Sequence, residues 1–368
     1  MKQTAHPALL KFDPELNRID DGDKELRDGI SAAVLVGDTL WAACDETTRL
    51  ERLTRGREDG YDSHRAFPLS EFLTLRAGEE EEADVEGMDV ADGYLWLVGS
   101  HSLKRANPKR GKSADDNRKR LGEVTADGNR FLLARIPLVA DGEGYTLAKE
   151  TARGERRLVA ARLRGDAESS ELTAALKSDK HLGPFFGIPG KDNGFDIEGL
   201  ALSGERIFVG LRGPVLRGWA TIIEVEVQDD EQDSSELRLK GIGPDGRPYR
   251  KHFLDLGGLG VRDLCADGKD LLILAGPTMD LDGPVTIFRW EGGLRPEKQS
   301  VVFADELQKV LDVPYGIGVD HAEAITLVPA GESGRRGVLV LYDAPADERK
   351  RGREGEAVLR ADIFTLPE

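Results

Sequence analysis

Cysteine is almost absent from this chain: there are two, Cys44 and Cys265, among 368 residues. They lie far apart, inside segments that read as strands. Neither a disulfide framework nor a zinc cluster with paired-cysteine spacing is encoded, and both are expected to be buried, reduced thiols. No apolar run is long enough to span a bilayer, and the start, Met1-Lys2-Gln3-Thr4-Ala5-His6-Pro7, lacks the apolar core of a secretory signal. A cytoplasmic protein without a membrane partner is the expectation. Catalytic signatures are missing too: there is no G-x-S-x-G elbow, Walker loop, dinucleotide fingerprint or H-E-x-x-H helix. Positive charge is scarce, with 51 Lys and Arg against 68 Asp and Glu and a formal net charge of −17. That balance favours solubility and argues against general coating of nucleic acid or anionic membranes, while leaving room for a local basic patch.

What the chain does have is repetition. Val85-Glu86-Gly87-Met88-Asp89-Val90 passes through a turn at Asp92-Gly93 into Tyr94-Leu95-Trp96-Leu97-Val98-Gly99. The pattern returns at Ile197-Glu198-Gly199-Leu200-Ala201-Leu202 and Arg206-Ile207-Phe208-Val209-Gly210, with weaker copies at 30–44, 261–276 and 322–343. Each copy reads as an antiparallel hairpin of two short apolar strands. Hairpins recurring at a long period predict the blades of a propeller. Third strands are expected at 220–227, 130–138, 285–290 and 357–366. The last blade then lacks an outer strand, which Ala8-Leu9-Leu10-Lys11-Phe12 can supply, closing the ring and removing exposed sheet edges. The fold expected is all-β: a closed β-propeller forming one domain over residues 1–368. Five blades are visible. The step from Glu86 to Glu198 is about twice any other, so a sixth blade or two long insertions, near 101–129 and 151–193, occupies that stretch. A short helix is expected within 169–180.

Aligning the repeats puts Ser31, Glu86, Glu198, Arg262 and Glu323 at one position, the start of each innermost strand. Propeller topology gathers these at one mouth of the central channel, beside the ends of the second strands, which carry Asp45, His101, Arg212 and Asp343. His321 and Asp196, two residues before two of the glutamates, point the same way by strand alternation. This constellation has two readings. Converging carboxylates suit Ca²⁺ or Mg²⁺, with Glu86, Glu198 and Glu323 as ligands and His101 or His321, with Glu198, moving protons. Alternatively, each glutamate takes backbone N–H bonds from the neighbouring blade and locks the blades together. Basic residues at 104–120 and 349–353, with Arg212 and Arg217 on a Gly- and Pro-shaped segment, form a rim suited to an anion. Arg212 has its own alternative, a bridge to a channel carboxylate such as Glu198.

The stretch Gly194-Phe195-Asp196-Ile197-Glu198-Gly199-Leu200-Ala201, followed by Gly210-Leu211-Arg212-Gly213-Pro214, resembles the bacterial proteins of domain of unknown function 3616, over about residues 29–364. Through its E-G-[LM] hairpin it is also similar to esterase-like phytase propellers. The first resemblance implies no activity. The second implies a propeller and phosphoester chemistry, carried onto Glu86, Glu198 and Glu323. Ala324 stands where the motif has Gly, and Ser31 and Arg262 stand where it has Glu. The expected function is a metal-assisted, hydrolase-like propeller, monomeric, acting on a small anionic and phosphorylated ligand at the channel mouth. The rival is a non-catalytic propeller that binds a protein or nucleic acid through its basic rim.

Overall fold

In the computed structural model, residues 5–19, 24–56, 60–79, 81–142, 144–329 and 336–367 are described; Met1 to Thr4 lie outside them. The chain is mostly β and propeller-like. The first repeat runs Ile30–Val36, Thr39–Cys44, Arg49–Arg55 and Tyr61–Pro68, each strand antiparallel to the one before. The second begins Val85–Ala91 and Tyr94–Gly99, turning at Asp92 (φ 53°) and Gly93 (φ 85°), a left-handed pair that matches hairpin twist. Its third strand, Leu133–Asp141, pairs with Tyr94–Gly99, so the 100–196 stretch contains the rest of this repeat together with insertions. The third repeat is Asp196–Ser203, Arg206–Leu216, Trp219–Asp229 and Arg250–Asp255. The fourth is Gly260–Asp267, Asp270–Gly276, Val285–Trp290 and Gln308–Val313.

The fifth repeat is built from both ends of the chain. His321–Val328, Gly337–Asp343 and Ala357–Thr365 pair in sequence, and Ala5–Phe12 adds as the outer strand in register from Ala5↔Phe364 to Phe12↔Ala357. The innermost strands pack first on second, second on third, third on fourth, fourth on fifth and fifth on first. The apolar core follows the same order, with one cluster between each pair of neighbours. The cluster joining fifth to first contains Leu10, Ile30, Leu40, Leu341 and Leu359, all buried. Two helices lie in the insertions: Ala114–Gly122, with no buried residue, and Glu171–Leu176, capped by Ser170.

Candidate functional site

Every innermost strand carries a bulge, and each bulge falls on the aligned position. Pairing skips from Ile30 to Ala32, Val85 to Gly87, Ile197 to Leu200, Val261 to Asp263 and Ala322 to Ala324. The skipped residues are Ser31, Glu86, Glu198 with Gly199, Arg262 and Glu323. A bulge leaves one residue outside the ladder and re-aims its side chain, which turns this ring toward the shared mouth. The glycines after two of the glutamates permit the approach of adjacent strands. A Cβ on Gly87 would stand 2.7 Å from the Leu200 nitrogen, and one on Gly199 (φ 116°) would stand 2.8 Å from the Asp263 Cα.

Among the described residues the ring glutamates take no backbone N–H from the next repeat; two aspartates do. Asp89 accepts the Leu202 N–H at 2.6 Å and Asp263 accepts the Ile325 N–H at 2.7 Å, each reaching the next repeat. The Ser31 hydroxyl donates to the Val85 carbonyl at 2.7 Å, and Thr326 accepts the Leu35 N–H at 3.0 Å, joining fifth repeat to first. Burial raises the Asp89 carboxyl to about 7 and that of Asp263 well above the usual range. The ring glutamates have other partners. Arg262 stands between Glu198, at 3.0 Å, and Glu323, with which it is ion-paired. Arg212 pairs with Glu198 at 2.7 Å and with Asp196. Arg130 holds Asp84 at 2.8 Å.

Glu86 stands apart. It is half-buried, and among the described residues it has no hydrogen bond or ion pair; its charged neighbours are Asp84, Glu198, Asp45 and Asp196, with Arg212 close enough to act on it electrostatically. Burial and then these like charges push its carboxyl well above the carboxylate range. Asp45 is raised to about 8 by burial and by Asp84 and Asp343, with Lys191 opposing. Both line a cavity of about 310 Å³ at the mouth, whose wall carries eleven carboxylate residues against five Lys and Arg. A second cavity of about 280 Å³ adjoins it, sharing Lys191, Arg212, Asp280, Glu323 and Asp343. There the His321 Nε2 lies 3.0 Å from Asp282 and its Nδ1 3.9 Å from Asp343, contacts that raise the imidazole, Asp343 contributing most. The basic insertion overhangs the mouth: Arg105, Asn107 and Leu121 line the larger cavity, with Arg105 tied to Asp192 at 2.7 Å.

Asp45, Glu86, Glu198, Arg212, His321, Glu323 and Asp343 are thus brought to one mouth. His101 and Arg217 are not. His101 is 3% exposed and packed edge-on against Phe131; its Nδ1 donates to the Gly99 carbonyl, and burial lowers the imidazole to about 4. Arg217 sits exposed in the turn between two strands of the third repeat (φ 53°). Of the three glutamates expected as metal ligands, Glu198 and Glu323 are both paired with the Arg262 guanidinium. Among the described residues no group of three His, Cys, Asp or Glu side chains is placed to hold an ion. Of the basic rim, Arg349 is spent on Asp320 and Asp362, and Lys350 on Asp28. Members that went unnoticed in the sequence include Lys191, Asp84, Asp280 and Asp282. Asp84 had a signal: it precedes Glu86 by two residues, as Asp196 precedes Glu198.

No helix in the described residues is long and apolar enough to cross a membrane. No curated protein matches the chain. Among solved structures it is similar to Myxococcus xanthus glutaminyl cyclase, at 10% identity and TM-score 0.40, covering 99% of this chain and 98% of that one. It is also similar to the PQQ-bound aldose sugar dehydrogenase of Streptomyces coelicolor, at 12% identity and TM-score 0.37, covering 98% and 99%. A xylan β-1,4-xylosidase from Bacillus halodurans C-125 aligns at 13% identity and TM-score 0.35 over 93% of this chain and 54% of that one. Likenesses this distant carry no argument about chemistry. The family model for DUF3616, a protein of unknown function, matches residues 29–362, and the chain belongs to that family.

Proposed function

We propose that the chain is a closed five-bladed propeller whose axial mouth is a small-molecule site for acid–base, hydrolase-like chemistry. Ring closure is supported by the terminal strand pairing and by the apolar cluster joining fifth repeat to first. The observation that carries the chemistry is Glu86, a carboxyl without a partner, facing the cavity among like charges. A carboxyl pushed above the ordinary carboxylate range keeps its proton to higher pH and is suited to proton donation, and such groups concentrate at reaction sites. In this reading Glu86 delivers the proton to a leaving group and Asp45 is the second proton store. Lys191, which has no ion pair among the described residues, is the counter-charge that opposes the rise at Asp45.

The phosphorylated ligand implied by the phytase-like resemblance is not carried forward. Arg212 has its guanidinium engaged by Asp196 and Glu198, and the mouth has a large excess of carboxylates. A neutral polyhydroxylated or cationic ligand suits that field better than an anion. A chromogenic panel of esters, glycosides and phosphoesters at neutral pH tests the reading. The expected outcome is turnover of a neutral or cationic member that falls at least about 100-fold in Glu86→Gln. Equal turnover in Glu86→Gln, or preference for phosphoesters, would overturn it.

One observation favours the second reading, a binding propeller. The helix Ala114–Gly122 buries none of its residues, and Lys104 and Arg105 of the same basic insertion line the mouth together with Leu121 of the helix. A nucleic-acid partner would then bind with a steep loss of affinity as salt rises.

A further inference from the structure

The smaller cavity differs in kind from the mouth it adjoins. Its outer wall consists of two loops, 277–284 and 314–320, and these collect the chain's exposed apolar side chains. Five of the nine large hydrophobic residues exposed among the described residues are here: Met279, Leu281, Tyr315, Ile317 and Val319. Leu281 is 58% exposed and Ile317 is 87% exposed. Concentrated exposed apolar surface beside a cavity marks a contact site rather than a random surface feature. The two loops are tied together at the rim, where Asp282 accepts both the Gly318 N–H at 2.9 Å and the His321 Nε2 contact at 3.0 Å.

Acidic side chains line the same cavity, Asp280 on the first of these loops and Asp343 at the end of a strand of the fifth repeat. Asp280 has no ion pair among the described residues, and Asp343 has only His321, at 3.9 Å. Arg212 is held by Asp196 and Glu198, and Arg262 by Glu198 and Glu323, so among the lining Lys and Arg residues only Lys191, without an ion pair among the described residues, faces these two carboxylates. At about 280 Å³ the space is near the lower end of small-ligand pockets, roughly 300 Å³. An apolar wall opposite unpaired carboxylates is complementary to one ligand chemistry: an organic cation whose ammonium meets Asp280 and Asp343 while a ring or branched alkyl group lies against Met279, Leu281 and Tyr315. The Tyr315 ring can add a cation–π contact.

We propose that this cavity is a subsite for an amine bearing an apolar or aromatic group, and that it sets the substrate class of the adjoining mouth. The inference rests on reading the mouth as a ligand site, but its test is separate. Thermal unfolding of the full chain is followed with 2-phenylethylamine, 2-phenylethanol and phenylacetate, three probes of similar shape and different charge. A ligand of the native state raises the melting temperature in proportion to its affinity. The amine is expected to give a saturable rise, the alcohol a smaller one and the acid none. Leu281→Ser and Asp343→Asn are each expected to weaken the amine about tenfold, the effect of one lost charged or apolar contact. Leu281 is exposed, so its replacement leaves the fold intact. Glu86→Gln, outside this cavity, is expected to keep the amine response. That separates failure of the subsite from failure of the acid–base reading, which is tested by turnover. An equal or larger rise with phenylacetate, no rise with any probe, or an amine response unchanged in both subsite variants would overturn the proposal.

Discussion

At the scale of single residues, the mouth is a balance of buried carboxyls and guanidinium groups, and Arg262 is its keystone. It is 8% exposed and faces two carboxylates, Glu198 and Glu323. Removing one member of a buried ion network leaves the others uncompensated, at a cost of about 3–5 kcal/mol. Arg262→Met is therefore expected to lower stability by about that much in urea unfolding, with Glu323→Gln partly restoring it; no loss would show that the network is not coupled. The same geometry predicts that Ca²⁺ or Mg²⁺ added after chelation leaves the melting temperature unchanged, since Glu198 and Glu323 are already paired with Arg262. A saturable rise abolished in Glu198→Gln would return the metal to the site. Asp45 behaves differently. Its carboxyl is raised to about 8, so the folded state keeps a proton that the unfolded chain releases near pH 4. Stability from this group is full at low pH and falls as pH rises between those two values. Asp45→Asn removes the dependence, so its stability relative to the parent should grow across that window.

At the scale of elements, the bulged strand is the unit that makes both fold and site. The alternating hairpins, their Asp-Gly and Ser-Gly turns, and the common position of Ser31, Glu86, Glu198, Arg262 and Glu323 were all legible in the sequence. A repeat leaves its pattern in apolar periodicity, and turns need left-handed residues. The bulges were not legible, because a one-residue slip in pairing is set by both strands together. Nor was the division of labour three residues apart, in which Glu86 faces the mouth while Asp89 binds the next repeat. A lock through backbone N–H bonds was anticipated on the glutamates as one of two readings; those bonds fall on Asp89 and Asp263, while Glu198 and Glu323 join the repeats through Arg262. His101 misled for a related reason: local sequence does not separate an imidazole buried under Phe131 from one at the rim. Asp89→Ala is expected to cost about 1–3 kcal/mol by stranding the Leu202 N–H. Hydrogen exchange would show faster exchange at Leu202 than in the parent; unchanged protection there would show that the contact is dispensable.

At the scale of the whole molecule, the two chain ends complete one sheet, and the prediction belongs to the ring. Removing residues 1–12 deletes the outer strand of the fifth repeat and exposes the cluster shared by the fifth and first repeats. The loss should therefore be global, with one cooperative transition shifted to lower denaturant, not a local fraying of the fifth repeat. Two separated transitions would contradict closure. The terminal pairing was readable because the last hairpin lacked a partner strand and the first apolar segment lacked a hairpin. The cavity walls were not, since loops 277–284 and 314–320 carry no periodicity and meet only through the fold.

That Glu86 at the mouth keeps its proton to higher pH than a surface carboxylate is tested directly by the stability of the parent and Glu86→Gln, measured by urea unfolding from about pH 5 to about pH 8. The folded state retains the Glu86 proton above the pH at which the unfolded chain releases it, so parent stability falls as pH rises through that interval. The glutamine variant has no such proton. Its stability is therefore expected to gain steadily on the parent as pH rises. A constant difference across the range would mean that Glu86 ionises like any surface carboxylate, and the acid–base reading of the mouth would be lost with it.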